Sequence, residues 1–143
     1  VIQNETDCNS PEFRKRVFRT LVGLYASGAV SAMDQVIPPD YVGHTSAGDR
    51  DRQGFIDSIL FFHKLYVYAH DSFRIEDQLV DGEKVVTRMT ANVRVRETGE
   101  PVTLLGINIA RIVNGKIVEE WNTWEQLRTA QGQSGSAKPG TAA

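Results

Sequence analysis

Apolar positions follow two rhythms along the chain, helical spacing in the first half and alternation in the second. Phe13, Val17, Leu21 and Leu24 recur at helical spacing, which predicts a helix with one buried stripe. Asn9 and Ser10 are capping candidates ahead of it, Pro11 stands where no backbone donor is needed, and Gly28 is the expected stop. Ser31 caps a short second helix through Val36, which Pro38 and Pro39 end. Residues 41–44 read as irregular or briefly extended. Asp49 or Asp51 then caps a third helix carrying Phe55, Ile56, Ile59, Leu60, Phe62 and Leu65. Its apolar residues cover more than one stripe, so it is expected to lie against a sheet and also to line something.

From Phe73 the period becomes two. Phe73, Ile75 and Leu79 alternate with polar residues up to a hairpin turn at Asp81-Gly82, and residues 85–96 are the strongest alternating run of the chain. Its odd positions are Val85, Thr87, Met89, Ala91, Val93 and Val95, and its even positions include Arg88, Thr90, Asn92, Arg94 and Arg96. Periodicity alone makes the odd face core and the even face solvent. After the loop at residues 97–101, two long extended runs flank Asn114-Gly115, a dipeptide that accepts the positive φ angles of a type I′ turn. The first run is apolar on both faces, Leu105, Ile107 and Ile109 on one and Leu104, Ala110 and Ile112 on the other. Asn108 is set into the second face. If the register follows the turn, Asn122 comes near it on the same sheet face. A buried amide needs partners, and a bound molecule would supply them.

Helices followed by a meander of strands form the α+β pattern, a bent sheet whose concave side the helices close. A sheet that curls without filling its interior leaves a pocket. One domain is expected over residues 10–130, between a flexible segment at 1–9 and a tail at 131–143 too polar and too rich in small residues to bury anything.

Composition narrows the function by exclusion. With 41% hydrophobic and 24% charged residues, the 143-residue chain has ordinary globular composition, and a formal charge of -2 argues against nucleic acid or an acidic membrane as partner. Arg14, Lys15, Arg16 and Arg19 cluster, yet on a predicted helix without interleaved aromatics they read as a solvated face. The run from Asp49 to Arg52 reads likewise as a self-paired, solvated helix entrance. A single cysteine, Cys8, makes no internal disulfide, which fits a cytoplasmic protein, and neither a membrane span nor a signal-peptide pattern is present. Three scattered histidines lack metal-ligand spacing, and with no phosphate loop or dinucleotide fingerprint no cofactor is expected. Among the histidines, His63 reads as a partly exposed residue on a helix flank. Trp121 and Trp124 read first as packing, and Glu119 and Glu120, being adjacent on a strand, face opposite sides.

Over residues 13–127 the chain resembles the SnoaL-like polyketide cyclases of the nuclear-transport-factor-two-like superfamily. The likeness is carried by residues 41–44, by the run from Asp81 to Arg88, and by Asn114-Gly115-Lys116-Ile117-Val118-Glu119-Glu120-Trp121 in the last strand pair. The resemblance implies a cone-shaped α+β barrel in which three N-terminal helices close a curved antiparallel or mixed sheet over a deep apolar pocket. It also implies a homodimer packed through the outer face of the sheet. Ring-closing members of the family place an acid on the last strand and a histidine on the strand before it, positions that fall here on Asn122 and Asn108. Related epoxide hydrolases use an Asp, Arg, Asp set, of which only Arg88 is kept, with Thr90 and Asn122 at the carboxylate positions. That comparison points Arg88 and Thr90 into the cone, against the periodicity.

The site implied is therefore Asn108, Asn122 and Arg88 as polarising groups, with Tyr41, Phe61, Leu65, Thr90, Leu104, Ala110, Glu120 and Trp124 around a polyketide-type small molecule. An amide neither takes nor releases a proton at neutral pH, but it donates to a carbonyl and accepts from a hydroxyl. The function implied is ring closure in an apolar polyketide-derived chain of secondary metabolism, including antibiotic biosynthesis, by substrate placement and carbonyl polarisation. The alternatives are an isomerisation, dehydration or aldol closure with His44 as proton shuttle and Tyr41 or Glu120 as its partner, and a binding module that performs no chemistry.

Overall fold

In the computed structural model, which describes residues 8–128, helices close one face of a curved, unclosed mixed sheet of seven strands. The helices are α1 (Pro11–Ser27) and α2 (Arg52–Leu65), with a 3-10 helix, Val30–Gln35, between them. The strands are β1 (Val42–Thr45), β2 (Gly48–Arg50), β3 (Tyr66–Val67), β4 (Phe73–Asp81), β5 (Lys84–Val95), β6 (Pro101–Val113) and β7 (Lys116–Gln126). Residues 1–7 and 131–143, expected to be flexible, lie outside the described residues. Asn9, expected to be flexible with them, is engaged, since its backbone carbonyl and Oδ1 both accept from Arg14.

The helix caps follow the local chemistry. The Phe13 N–H donates to Ser10 Oγ at 3.1 Å at the start of α1, and Gly28 ends that helix at φ 72°, in the left-handed region. At α2 the cap is Asp51, whose Oδ1 accepts from the Gly54 N–H at 2.8 Å. Asp49 belongs instead to β2. The residues expected as a helix entrance form a strand because Gly48, at φ 114°, reverses the chain and pairs it back on β1, with Gly43 opposite Arg50 and His44 opposite Asp49.

The sheet order is β2-β1-β7-β6-β5-β3, with β4 also pairing β5, and only the β1–β7 pair is parallel. Asn114 and Gly115 both have positive φ, as a type I′ turn requires. Continued unbroken, the register set by that turn would place Asn108 opposite Trp121 and send Asn122 to the outer face. It does not continue: Ile112 pairs Ile117 while Arg111 pairs Glu119, so Val118 is an extra residue on β7. This bulge brings Asn122 directly opposite Asn108.

On β5 the odd residues face the helices. Val85, Thr87, Met89, Ala91 and Val93 are buried, and Val85 and Met89 join Phe18, Leu21, Met33, Ile37, Ile59 and Ile112 in one core. The basic cluster on α1 is not a uniform solvated face. Arg14 is buried, and its guanidinium donates to the carbonyls of Asn9, Gly82 and Ile112, tying the first turn of α1 to the β4–β5 turn and to β6. A charge is tolerated there because backbone acceptors surround it. Arg16 and Arg19 are exposed, as expected.

Candidate active site

Between the concave face and the helices lies an open-mouthed cavity of about 490 Å³. Much of its wall is apolar and rich in aromatic rings, with Phe18, Tyr25, Phe55, Phe62, Phe73 and Trp124 among the lining residues. Trp124 lies opposite Gly106, and a Cβ there would come within 2.5 Å of the indole, so the absent side chain makes room for the ring. Such a wall suits a largely apolar small molecule.

One sector is polar. Cross-strand pairing aligns Gln78, Thr87, Asn108 and Asn122 on the inner face, and Ala110 and Glu120 occupy the next row. The Glu120 carboxylate is 1% exposed and fully engaged. Its Oε1 accepts from the Tyr41 hydroxyl at 2.5 Å, its Oε2 accepts from Asn108 Nδ2 at 2.7 Å, and the Arg50 guanidinium stands 3.6 Å from Oε1. Burial first, and the Glu120 charge second, push the Tyr41 phenol above its ordinary range, so the hydroxyl keeps its proton and donates. Tyr25, on the opposite wall, is pushed up to about 12 by burial. Arg50 also donates to Ser58 Oγ at 3.2 Å and covers the Phe55 ring, its Cζ 4.6 Å from the centroid. The Asn122 carboxamide lines the cavity and has no hydrogen-bond partner among the described residues.

Of the residues expected at the site, Asn108, Asn122, Leu104, Glu120 and Trp124 line the cavity. Tyr41 is fully buried behind Glu120 rather than on the wall. Arg88 and Thr90 do not point into the cone. Strand alternation places them on the outer face, where Arg88 donates to Asp77 at 2.9 Å and Thr90 to Glu76 at 2.7 Å. Helical geometry corrects Phe61 and Leu65: Phe55 and Ile59 are buried on the inner side of α2 and the partly exposed Phe62 lines the cavity, whereas Phe61 and Leu65 are exposed and do not line it. Ala110 packs in the solid core beside Ile112, below the cavity floor.

His44 is not a shuttle facing the cavity. It sits on the outer face, stacked on Trp121, with Nδ1 2.9 Å from Asp49 and Nε2 2.8 Å from Glu119, and it contacts neither Tyr41 nor Glu120 by hydrogen bond. Its hydrogen bonds to Glu119 and then Asp49 raise its pKa, so it is a clamp on the β1–β2 hairpin. The residue that sequence reasoning missed is Arg50. A three-residue strand carries too little periodicity to announce a face, and only the pairing of Gly43 with Arg50 turns the side chain inward.

Helices closing a cone-shaped sheet over a cavity with one apolar, ring-rich sector and one polar sector define the class of fold. This chain belongs to the SnoaL-like polyketide cyclase family, whose model matches residues 15–132. Among solved structures, IdmH, a proposed polyketide cyclase from Streptomyces antibioticus, is 26% identical, with 76% of this chain and 91% of that chain covered and a TM-score of 0.63. AclR, a proposed hydroxylase from Streptomyces galilaeus, is 18% identical over 80% of this chain and 90% of that one, with a TM-score of 0.70. An epoxide hydrolase from Mycobacterium tuberculosis is 12% identical over 77% and 80%, with a TM-score of 0.63. The last two show the fold alone. No curated protein matches. Family and fold together support a cyclase or isomerase role.

Proposed function

We propose that this protein closes a ring in an apolar, polyketide-derived chain, holding it folded in the aromatic cavity while Asn122 polarises a carbonyl. The observation that carries the reading is Asn122 itself, a carboxamide on the cavity wall whose donors, unlike Asn108 Nδ2 and Arg50 Nη1, are not taken up by the protein. Placement of reacting groups offsets about 7–11 kcal/mol of a barrier at best, against roughly 10²- to 10⁴-fold in rate from acid–base catalysis. A cyclase without a free base thus keeps the larger contribution. The test is turnover of linear poly-β-ketone thioester analogues, read by chromatographic retention because an isomerising ring closure leaves mass unchanged. Replacing Asn122 by Leu is expected to lower kcat roughly a hundredfold, the effect of removing one donor from an oxyanion site. Substrate returned unchanged by the wild type would leave a binding module.

A second reading is favoured by Glu120, a buried carboxylate on the cavity wall. In it Glu120 removes a proton during an isomerisation or aldol closure, the role His44 loses by facing outward. The readings part on pH: a rate that falls along one acidic limb, abolished in Glu120→Gln, favours proton transfer, and a flat profile favours placement.

The proposal extends to a homodimer, which the family resemblance implies. The outer sheet face supports it, since Leu79, Leu105 and Ile107 are exposed there around the half-buried Ile109.

A further inference from the structure

We infer that Asn108 is a specificity determinant that presents its carbonyl oxygen as an acceptor, so the cavity selects ligands bearing an enol or phenol hydroxyl, and that Glu120 sets this polarity. The inference deepens the cyclase reading and rests on it for the cavity having a ligand. The Asn108 Nδ2 donates to Glu120 Oε2 at 2.7 Å, so the end of the amide that meets the carboxylate is the NH2. That turns Oδ1 away from Glu120. The carboxylate is itself pinned, because Oε1 takes the Tyr41 hydroxyl and faces Arg50. Asn108 is 5% exposed and lines the cavity, and its Oδ1 has no hydrogen-bond partner among the described residues. Its cross-strand neighbour Thr87 accepts from Gln78 Nε2 and makes no hydrogen bond with Asn108.

A buried acceptor left unpaired is costly, and a ligand hydroxyl is the group that would relieve it. Asn122, directly opposite, has a carboxamide free to donate to a neighbouring carbonyl. The two amides therefore divide the work, one reading a hydroxyl and the other a carbonyl. Methylation of the hydroxyl removes the only proton Asn108 can use.

Calorimetric titration of the wild-type protein with 2-naphthol and with 2-methoxynaphthalene tests this. The naphthol is expected to bind about tenfold or more tightly, although the ether is the more apolar of the two. In Glu120→Gln, a near-isosteric change, the new side-chain NH2 faces Asn108, the amide turns over, and the preference is expected to vanish or reverse. Asn108→Leu should abolish it too; if that variant does not fold, the glutamine variant, checked for native circular dichroism, carries the test. Equal or tighter binding of the ether by the wild type, or an undiminished preference in folded Glu120→Gln, overturns the role of Asn108 and leaves the cyclase reading standing. Failure of both probes to bind overturns the ligand cavity and the cyclase reading with it.

Discussion

Three side chains, Tyr41, Asn108 and Arg50, surround Glu120, and no one of them explains itself without the others. A lone buried carboxylate is expensive, and donors on both oxygens make its burial tolerable. Tyr41→Phe removes one donor and keeps the ring, so it is expected to cost about 1–3 kcal/mol of stability, measurable by urea unfolding. Gly43 takes part by absence: a Cβ there would overlap the Tyr41 hydroxyl. On the outer face, the doubly bonded His44 has a raised pKa, and Glu119 has a lowered one, chiefly through the same hydrogen bond. A raised folded-state pKa means that the His44 contribution is fully present below its unfolded value near 6.5 and is lost as pH rises through the folded value. The Glu119 contribution runs the other way, being lost as pH falls through its lowered value. Thermal melts are therefore expected to show stability falling from mildly acidic to mildly alkaline pH, with that slope flattened in His44→Gln.

At the scale of elements, two local irregularities build the site. The Val118 bulge reverses the facing of β7 beyond it, and so puts Glu120, Asn122 and Trp124 on the inside. A turn dipeptide announces where a hairpin folds, but a bulge several residues away leaves no comparable mark in composition. The juxtaposition of Asn108 with Asn122 was thus expected on the wrong register and is reached through the bulge. Gly106 is the second irregularity. Gly106→Ala is expected to push the Trp124 indole from its seat, costing about 1–3 kcal/mol by overpacking and weakening binding of any cavity ligand. Unfolding and a 2-naphthol titration on the same variant would check both effects. The β1–β2 hairpin is the third part of the wall, contributing Thr45 to Arg50, and the His44 clamp holds it to β7.

For the whole molecule, the sheet has one face committed to the core and cavity and another that carries an apolar patch, Leu79, Leu105 and Ile107, exposed in the single chain. Leu105 and Ile107 pair with Thr90 and Arg88 across β5, so the exposed patch is continuous with charged outer-face residues. If this face joins two copies, Ile107→Glu combined with Leu105→Glu should halve the mass seen by light scattering while leaving circular dichroism unchanged; a wild type that elutes as one chain would refute the dimer. Among the described residues, no helix is long and apolar enough to cross a membrane.

The limits of α1 and α2, the strand order of the hairpins and the family were legible in the chain because they depend on short-range signals: capping at Ser10 and Asp51, the Asn114-Gly115 turn, and the alternation along residues 85–95. The short helix between α1 and α2 was not, since Ser31, expected as its cap, lies inside Val30–Gln35, which has no side-chain cap. That alternation was also the better guide to Arg88 and Thr90 than the family comparison, since a strand without a bulge cannot turn neighbouring residues to one side. What only the assembled fold decided is which polar groups meet. Facing inverts with a single inserted residue, and partners 8 to 79 positions apart, such as Arg50 with Ser58 or Tyr41 with Glu120, are brought together by sheet pairing and helix packing that no local pattern encodes.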